Sequence, residues 1–429
     1  MKRGLTFLLM VFLTSGLLCA QVTPNQPQSL SLQEAIKFAI EHNKELQASK
    51  MNIELRNQFI LESISQGLPQ INGSLGYSTN FGYEVQFGEG VIKMQDQSSL
   101  SASVSQLLFS GQWILGVQTS KIAKKIAAQQ VDLTELDIKE NIYNSYYTIL
   151  VSERLMETIK QNLSNMDKIL KHTDNMYQAG TVEVTDVDQI RITVGQLKNS
   201  LLAMQRTVDV NYNLLRLQLG IQAGTPVTLT DPLENFLTGD SFLKLAVQKF
   251  DINNNRQYQL MQTQEELQKK MVGLKKWAYA PDLSANYSYN YQIKKGGFMN
   301  IPHSANITLN IPVFSGLQRK AQLSQEKITL EQTSLNKSLL EDQLHLQEEQ
   351  YKFNLTNALE DYNLQKENIE VAKKVLANYQ RKYEVGAVSS LDLTQANNNY
   401  LQAENNYTSA CLTLLQAQTQ LEKLYNELK

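Results

Sequence analysis

The sequence predicts a membrane protein of mixed α and β class that is built as an internal duplication. Two segments alternate apolar residues with small polar residues, and long segments elsewhere carry apolar residues at intervals of seven. Alternation places side chains on the two faces of a strand, whereas a sustained interval of seven is typical of paired, supercoiled helices. Both patterns recur in the second half of the chain. Each half is therefore expected to contain long antiparallel coiled-coil helices and one β-hairpin.

Length and composition exclude several classes of function. The chain has 429 residues, of which 42% are hydrophobic and 19% charged, and its formal net charge is -2. A nucleic-acid-binding protein would need a basic patch, which this balance does not favour. The histidines lack the spacing of metal ligands, and no nucleophile elbow, phosphate-binding loop or dinucleotide fingerprint is present. We therefore expect no cofactor, no metal, no nucleic acid and no enzymatic activity.

Residues 1–20 have the features of a secretory signal peptide. Lys2 and Arg3 precede an apolar core over residues 5–18, and cleavage is expected after Ala20. Beyond this segment no apolar run approaches the roughly 18 residues of a membrane-spanning helix, so a membrane segment should consist of strands. The mature chain keeps Cys411 alone, so its stability should come from packing or assembly rather than from a disulfide.

The first repeat is expected to cover residues 21–220, and its elements follow from breaks in the pattern. Pro69 ends the first helix, because proline cannot continue a helix, and Gly111 and Gly180 begin and end the long one. The expected elements are, in order, a helix over about 31–66, a strand from about 70 to 85, a loop at 86–98, a strand up to 109, a helix over about 112–178 and a helix after the next turn. The two strands give a hairpin over about 70–109.

The second repeat is expected to cover residues 240–429, after a connector at 221–239 that contains glycine and proline. Pro281, Gly316 and Gly386 stand at the same kinds of break as in the first repeat. The expected elements are, in order, a helix, a hairpin over about 282–314, a helix over about 317–385 and a helix after the turn. The apolar positions of the two long helices superimpose with a shift of 206 positions, which indicates duplication.

The strands of both hairpins have one apolar or aromatic face and one polar face. Tyr287, Tyr289 and Tyr291, for example, alternate with Ser288 and Asn290. About ten alternating residues can cross a bilayer at a tilt, and aromatic residues are enriched at its two surfaces. We therefore expect the apolar faces to contact lipid and the polar faces to line water.

Four strands per chain cannot close a barrel, and lipid does not tolerate open sheet edges, so the chain must assemble with copies of itself. Two copies would supply eight strands, whose interior is filled by side chains, and three would supply twelve, which leaves a water-filled pore. The small polar residues of the inner face favour twelve strands. In a trimer the long helices would continue the barrel as a helical tube on one side of the membrane.

Several motifs add a resemblance to a known family. Both repeats share a spacing at 35–43 and 246–254 and a proline before the hairpin. The second hairpin ends in the motif Pro312, Val313, Phe314, Ser315 and Gly316. The turns between the long helices carry tyrosine, glycine and aspartate, at Tyr177, Gly180 and Asp186 and at Tyr383, Gly386 and Asp392. In this order and spacing, the motifs resemble the TolC-like outer-membrane efflux and secretion channels over nearly the whole mature chain.

The resemblance implies a homotrimer in the outer membrane of a Gram-negative bacterium. A twelve-stranded β-barrel would contact the lipid, and the helices would form an α-barrel that extends into the periplasm. Two partners are implied: a periplasmic adaptor (membrane fusion protein) and an inner-membrane pump of RND or ABC type. The expected role is the exit duct of a tripartite efflux pump or type I secretion system, a passive channel that opens when the adaptor makes contact.

The resemblance also assigns roles to single residues. In some family members, aspartates three residues apart ring the periplasmic entrance, and Gln395 holds the second of these positions here. The entrance or gate candidates are Asp186, Asp188, Asp392 and Gln395. The candidates for the tip turns and the adaptor contact are Tyr177, Gly180, Tyr383 and Gly386. The strand–helix junctions are Pro69, Gly111, Pro281 and Gly316.

Simpler interpretations stay open beside these. Asp392 follows Ser389 by three residues, the spacing of a helix capping box, so it can stabilise a helix start with or without a gate role. Thr185 and Asp188 share that spacing. For the whole chain, the alternative is a secreted coiled-coil scaffold or adhesin with soluble hairpins and no channel.

Overall fold

A computed structural model of the chain describes residues 28–88, 90–93, 96–294 and 301–428. The expected signal peptide at 1–20 and residues 295–300 of the second predicted hairpin lie outside these residues. The first half forms, in order, β1 (Gln28–Leu30), α1 (Leu32–His42), α2 (Lys44–Ser65), β2 (Gln70–Ser78), β3 (Glu84–Phe87), β4 (Gly90–Lys93), β5 (Gln97–Phe109), α3 (Gly111–Gln178) and α4 (Val184–Leu219).

The second half repeats this order, except that its described residues contain no counterparts of β3 and β4. Its elements are β6 (Val227–Leu229), α5 (Gly239–Val247), α6 (Arg256–Trp277), β7 (Asp282–Lys294), β8 (His303–Asn310), α7 (Gln318–Glu384) and α8 (Ser390–Leu424), with single 3-10 turns at Leu233–Phe236 and Ile252–Asn254. The long helices α3 and α7 have 68 and 67 residues, so each is roughly 100 Å long at 1.5 Å per residue.

The two hairpins join into one antiparallel sheet of order β2-β5-β7-β8. The central pair is β5 and β7, one strand from each repeat, with Val104 opposite Tyr287. The strands β2 and β8 lie at the two edges of this sheet. All four helices that adjoin the sheet, α2, α3, α6 and α7, leave it at the same end and pack side by side.

The core consists of two buried clusters along the helices. The larger surrounds the connector between the repeats and includes Tyr146 and Phe242, both fully buried. Here the single hydroxyl proton of Tyr146 is shared between two acceptors, Leu30 O at 3.1 Å and Asp231 Oδ2 at 3.0 Å, which joins the connector to α3. The smaller cluster lies near the turns at the far ends of the long helices and includes Ile190 and Leu393. Among the helices described, none is both long and apolar enough to span a membrane.

The first predicted helix, over about 31–66, is divided in the structure. Asn43 adopts an extended conformation between α1 and α2, and its Oδ1 accepts hydrogen bonds from the N–H groups of Glu45 and Leu46. The side chain therefore caps a new helix, a role that favours asparagine over continuation of the old helix. Its Nδ2 also donates to Gln218 O at 2.7 Å.

Asn255 does the same in the second repeat. It caps α6 through the N–H groups of Gln257 and Tyr258, and its Nδ2 donates to Leu424 O at 3.0 Å. The sequence motif paired Asn43 with Asn254, which is wrong by one residue. Asn254 is exposed, at the end of the short 3-10 turn before Asn255.

The first predicted strand, from about 70 to Val85, is also wrong in its extent. β2 ends at Ser78, and the chain turns at Phe81 (φ 49°) and Gly82 (φ 71°). Left-handed residues interrupt the pleat, so the alternation of side chains beyond them belongs to another strand. That strand is β3, and its partner β4 lies inside the region predicted as a loop, 86–98.

Candidate functional site

The two turns between the long helices have the same geometry. Gly180 and Gly386 have φ values of 76° and 73°, a conformation that glycine adopts without the steric cost of a side chain. The residue after each glycine donates its N–H to a carbonyl five positions earlier, at 2.9 Å from Thr181 and 2.8 Å from Ala387. Both helices thus end in a Schellman motif, which satisfies their last carbonyls.

The turn of the second repeat ends in a complete capping box. Ser389 Oγ accepts the N–H of Asp392 at 3.1 Å, and Asp392 Oδ2 accepts the N–H of Ser389 at 3.1 Å and its hydroxyl at 2.7 Å. The predicted capping role of Asp392 is confirmed. Hydrogen bonds from the Ser389 side chain and backbone lower the pKa of Asp392, so its carboxylate stays charged in mildly acidic solution.

The first repeat uses a different pair from the one its sequence predicts. The helix α4 starts after Glu183, whose N–H donates to Asp186 Oδ2 at 3.4 Å. The predicted cap at Thr185 and Asp188 is wrong, because Thr185 lies inside the first turn of α4. Asp188 is exposed and forms an ion pair with Arg191 one turn further along.

Two hydrogen bonds join the turn regions of the two repeats. Ser390 Oγ donates to Asp186 Oδ1 at 2.6 Å, and the hydroxyls of Thr173 and Tyr383 are 3.0 Å apart. Ser390, Thr173 and Tyr383 are all buried. Burial raises the pKa of Tyr383, and the nearby carboxylate of Asp186 acts in the same direction. One chain thus holds its two helix pairs together at their ends.

The other predicted residues of the turns differ in how much of their side chain is exposed to solvent. Tyr177 is 45% exposed, whereas its counterpart Tyr383 is 4% exposed and belongs to the buried cluster. Gln395 is exposed on α8 and donates to Asn399 Oδ1 at 2.9 Å. Thr173 and Ser390 are not among the residues that the sequence motifs predict. The interval of seven between Met166 and Thr173 was the available signal for Thr173.

The strand–helix junctions also differ between the repeats. Pro69 and Pro281 directly precede β2 and β7, as predicted. Gly111 begins α3 beneath the ring of Trp277, where a Cβ would overlap the indole. Gly316 instead has a φ of 57°, with open space around it. The first glycine therefore permits close packing and the second permits a left-handed turn.

The sheet separates its side chains as the alternation predicts. Val104, Tyr287 and Ala305 are neighbours in register on one face, and Ser103, Ser288 and Ser304 are neighbours on the other. Serine pairs bridge the strands of the polar face: Ser74 with Ser101 at 2.6 Å and Ser288 with Ser304 at 2.7 Å. The result is a sheet with one broad apolar face and one face of small hydroxyl and amide groups.

Comparison with known proteins identifies the family. The model of outer membrane efflux proteins matches residues 35–221 and 252–427, which is most of the chain. The chain belongs to the outer membrane efflux protein family. The resemblance to TolC-like channels is confirmed, and so is the predicted fold class of long helices with a strand domain in an internal duplication. A comparison with curated proteins finds no match.

Solved structures share the efflux-protein fold over nearly its full length. CusC has 14% sequence identity and a TM-score of 0.76, with 94% of this chain and 95% of that chain covered. CmeC of Campylobacter jejuni has 14% identity and a TM-score of 0.74, with 92% and 85% covered. MtrE of Neisseria gonorrhoeae, solved in an open state, has 16% identity and a TM-score of 0.74, with 93% and 89% covered.

Proposed function

We propose that this efflux-family protein is the outer-membrane exit duct of a tripartite efflux pump or type I secretion system. It acts as a homotrimer in the outer membrane of a Gram-negative bacterium and extends into the periplasm. Its partners are a periplasmic adaptor (membrane fusion protein) and an inner-membrane pump of RND or ABC type. The duct is a passive conduit and not an enzyme, and the pump supplies the energy.

The observation that carries the proposal is the sheet with its two unlike faces and two open edges. The apolar face suits lipid, and the polar face of serine, asparagine and threonine suits water. The edge strands β2 and β8 have no further strand beside them in the described chain. An unpaired edge is not stable in lipid, so β8 of one copy should pair with β2 of the next. Three copies then close twelve strands around water, whereas eight strands would leave too little room.

The turn regions supply the periplasmic entrance of this duct. Asp186, Asp188, Asp392 and Gln395 are its polar residues, and exposed Tyr177 is available to the adaptor. Within one chain, the contacts of Asp186 with Ser390 and of Thr173 with Tyr383 oppose separation of the helix pairs. Opening on adaptor contact would therefore move whole chains apart more easily than the two repeats of one chain.

The mass of the detergent-extracted protein, measured by light scattering and corrected for bound detergent, tests this proposal. A mass of three chains is expected, followed by stepwise conductance in planar bilayers. A stable monomer that leaves the membrane fraction in a carbonate wash would overturn the channel and favour the secreted coiled-coil scaffold or adhesin.

A further inference from the structure

A cavity of about 470 Å³ lies beside the break between α1 and α2. Its lining includes Asn43, Lys44 and Glu45 at the start of α2, and Asn141, Leu217 and Gln218 on the long helices of the same repeat. Leu217, which lines this cavity, is 74% exposed. A single exposed leucine is common on protein surfaces, so the comparison with the second repeat decides what Leu217 indicates.

The second repeat contains the equivalent cavity, of about 260 Å³. Its residues Asn255, Arg256 and Gln257 lie 212 positions after the three at the start of α2. Its residues Gln347, Lys423 and Leu424 lie 206 positions after Asn141, Leu217 and Gln218. The two cavities are therefore the same place in the two repeats.

The second cavity has a wall that the first lacks. Leu133, Leu136 and Glu140 of α3 line it from the first repeat, and Lys423 Nζ pairs with Glu140 Oε2 at 2.7 Å. This wall is part of the contact between the two repeats of one chain. In the described chain, the lining of the first cavity includes no residue of the second repeat.

The counterpart of that wall exists on α7, where it faces solvent. Leu339 and Leu346 lie 206 positions after Leu133 and Glu140, and they are 55% and 66% exposed. The pair that corresponds to Glu140 and Lys423 is thus Leu346 and Leu217, both apolar and both exposed. We propose that α7 of one copy closes the first cavity of a second copy, with Leu339 and Leu346 packed against the second copy's Leu217.

Closure of a ring requires this contact, and the inference therefore rests on the proposed trimer. If three two-repeat chains form a ring, each contact between repeats within a chain is followed by one between chains. Within a chain, α3 packs on the second repeat. In the ring, α7, the counterpart of α3, then packs on the first repeat of the next copy. Leu136 and Arg256 line the second cavity together, and their counterparts Asp342 and Lys44 carry opposite charges. The ion pair of Arg256 with Asp132 is not conserved in this comparison, because the counterpart of Asp132 is Ser338.

Cross-linking in the full-length protein tests the contact. With Cys411→Ala as background, Leu217→Cys and Leu346→Cys are combined in one chain and treated with a short bis-maleimide in the membrane. We expect covalent dimers and trimers. The matched control replaces Leu346→Cys by Leu364→Cys, also an exposed leucine of α7 but 18 residues, about 27 Å, further along the helix. The control should stay monomeric on a denaturing gel.

A second pair of variants moves the internal ion pair into the proposed interface. Leu217→Lys and Leu346→Glu are each exposed in the single chain, so each should leave its folding intact. Alone, each replaces an apolar contact by a charge without its designed partner and should raise the trimer dissociation constant at least tenfold. Together they recreate the Lys423–Glu140 pair and should restore most of the affinity.

The outcomes separate this inference from the proposed function. A protein with the mass of three chains that neither cross-links at 217 and 346 nor responds to the charged variants has a different interface, so the docking of α7 is wrong while the trimer stands. A protein with the mass of one chain overturns the docking and the trimer together.

Discussion

At the scale of single residues, Asp392 has an observed role as a helix cap and a proposed role at the channel entrance. Its hydrogen bonds to Ser389 explain why an aspartate stands at the start of α8, whether or not the residue also acts in a channel. They also lower its pKa, so the stability that it contributes is complete above its ordinary pKa of 3.8 and is lost only as the pH falls below that value. The carboxylate therefore carries its charge at neutral and mildly acidic pH.

Asp392→Gln separates the two roles, because glutamine retains the capping box but not the charge. We expect hydrogen exchange in the first turn of α8 to stay unchanged, whereas Ser389→Ala should speed it about fivefold, the equivalent of about 1 kcal/mol. In planar bilayers, Asp392→Gln should lower the ratio of cation to anion permeability. An unchanged ratio would leave Asp392 with capping alone.

Gly180 and Gly386 can be tested as hinges of the tips. Both have positive φ, and nothing lies within 4 Å of an added Cβ, so only backbone strain opposes a substitution. Valine should cost roughly 1–2 kcal/mol or more at each turn, since a β-branched residue is disfavoured there. We expect the double variant Gly180→Val, Gly386→Val to impair export through the assembled pump.

The control is the double variant Gly180→Asn, Gly386→Asn, because asparagine tolerates this backbone conformation. Normal export by the valine variant would exclude a hinge at these glycines.

At the scale of elements, the sequence predicts the long helices well and the local breaks poorly. Heptads extend over many turns, so the long helices are predicted to within a residue or two: 112–178 became Gly111–Gln178. The break at Asn43 depends on one side chain that bonds to Gln218 O, a contact across 175 positions that no local pattern contains. The turn at Phe81 was missed because alternation continued through it. The exposure of Tyr177 and burial of Tyr383 likewise depend on how the repeats pack, not on their matching motifs.

Asn43 and Asn255, at the helix breaks of the two repeats, should contribute about equally to the free energy of unfolding. Asn43→Ala and Asn255→Ala each remove a helix cap and leave a carbonyl, of Gln218 or Leu424, without its donor. We expect each to lower the free energy of unfolding by about 1–3 kcal/mol, measured by thermal or denaturant unfolding. Asn254→Ala, at the exposed neighbouring position, should change it by less than about 0.5 kcal/mol. Equal effects of Asn254→Ala and Asn255→Ala would contradict the assigned equivalence.

At the scale of the whole molecule, the duplication allows the contacts between chains of the proposed trimer to be derived from the contacts between the repeats of one chain. Contacts between its repeats are visible, and contacts between chains can be derived from them by the shift of 206 positions. Arg154 of α3 pairs with Glu404 of α8 at 3.5 Å. Their counterparts are Glu360 of α7 and Lys198 of α4, both exposed in the single chain. The sign of each charge is reversed, so the pair stays complementary if α7 of one copy faces α4 of the next.

Charge reversal at this second position tests the derived interface independently of the leucines. Lys198→Glu or Glu360→Lys alone places like charges together in three interfaces of a trimer. At about 0.5–1 kcal/mol per exposed pair, each single change should raise the trimer dissociation constant about tenfold or more. The double variant should return the dissociation constant to that of the unchanged protein. Lys198 also lies 3.7 Å from Asp167 in its own chain, so Asp167→Asn is made as a control for that contact. Light scattering across a dilution series gives the monomer fraction. The effects of the two single changes on the free energy of dissociation would instead add up in the double variant if Glu360 and Lys198 did not face each other. In that case the contact between neighbouring chains differs from the contact between the repeats of one chain.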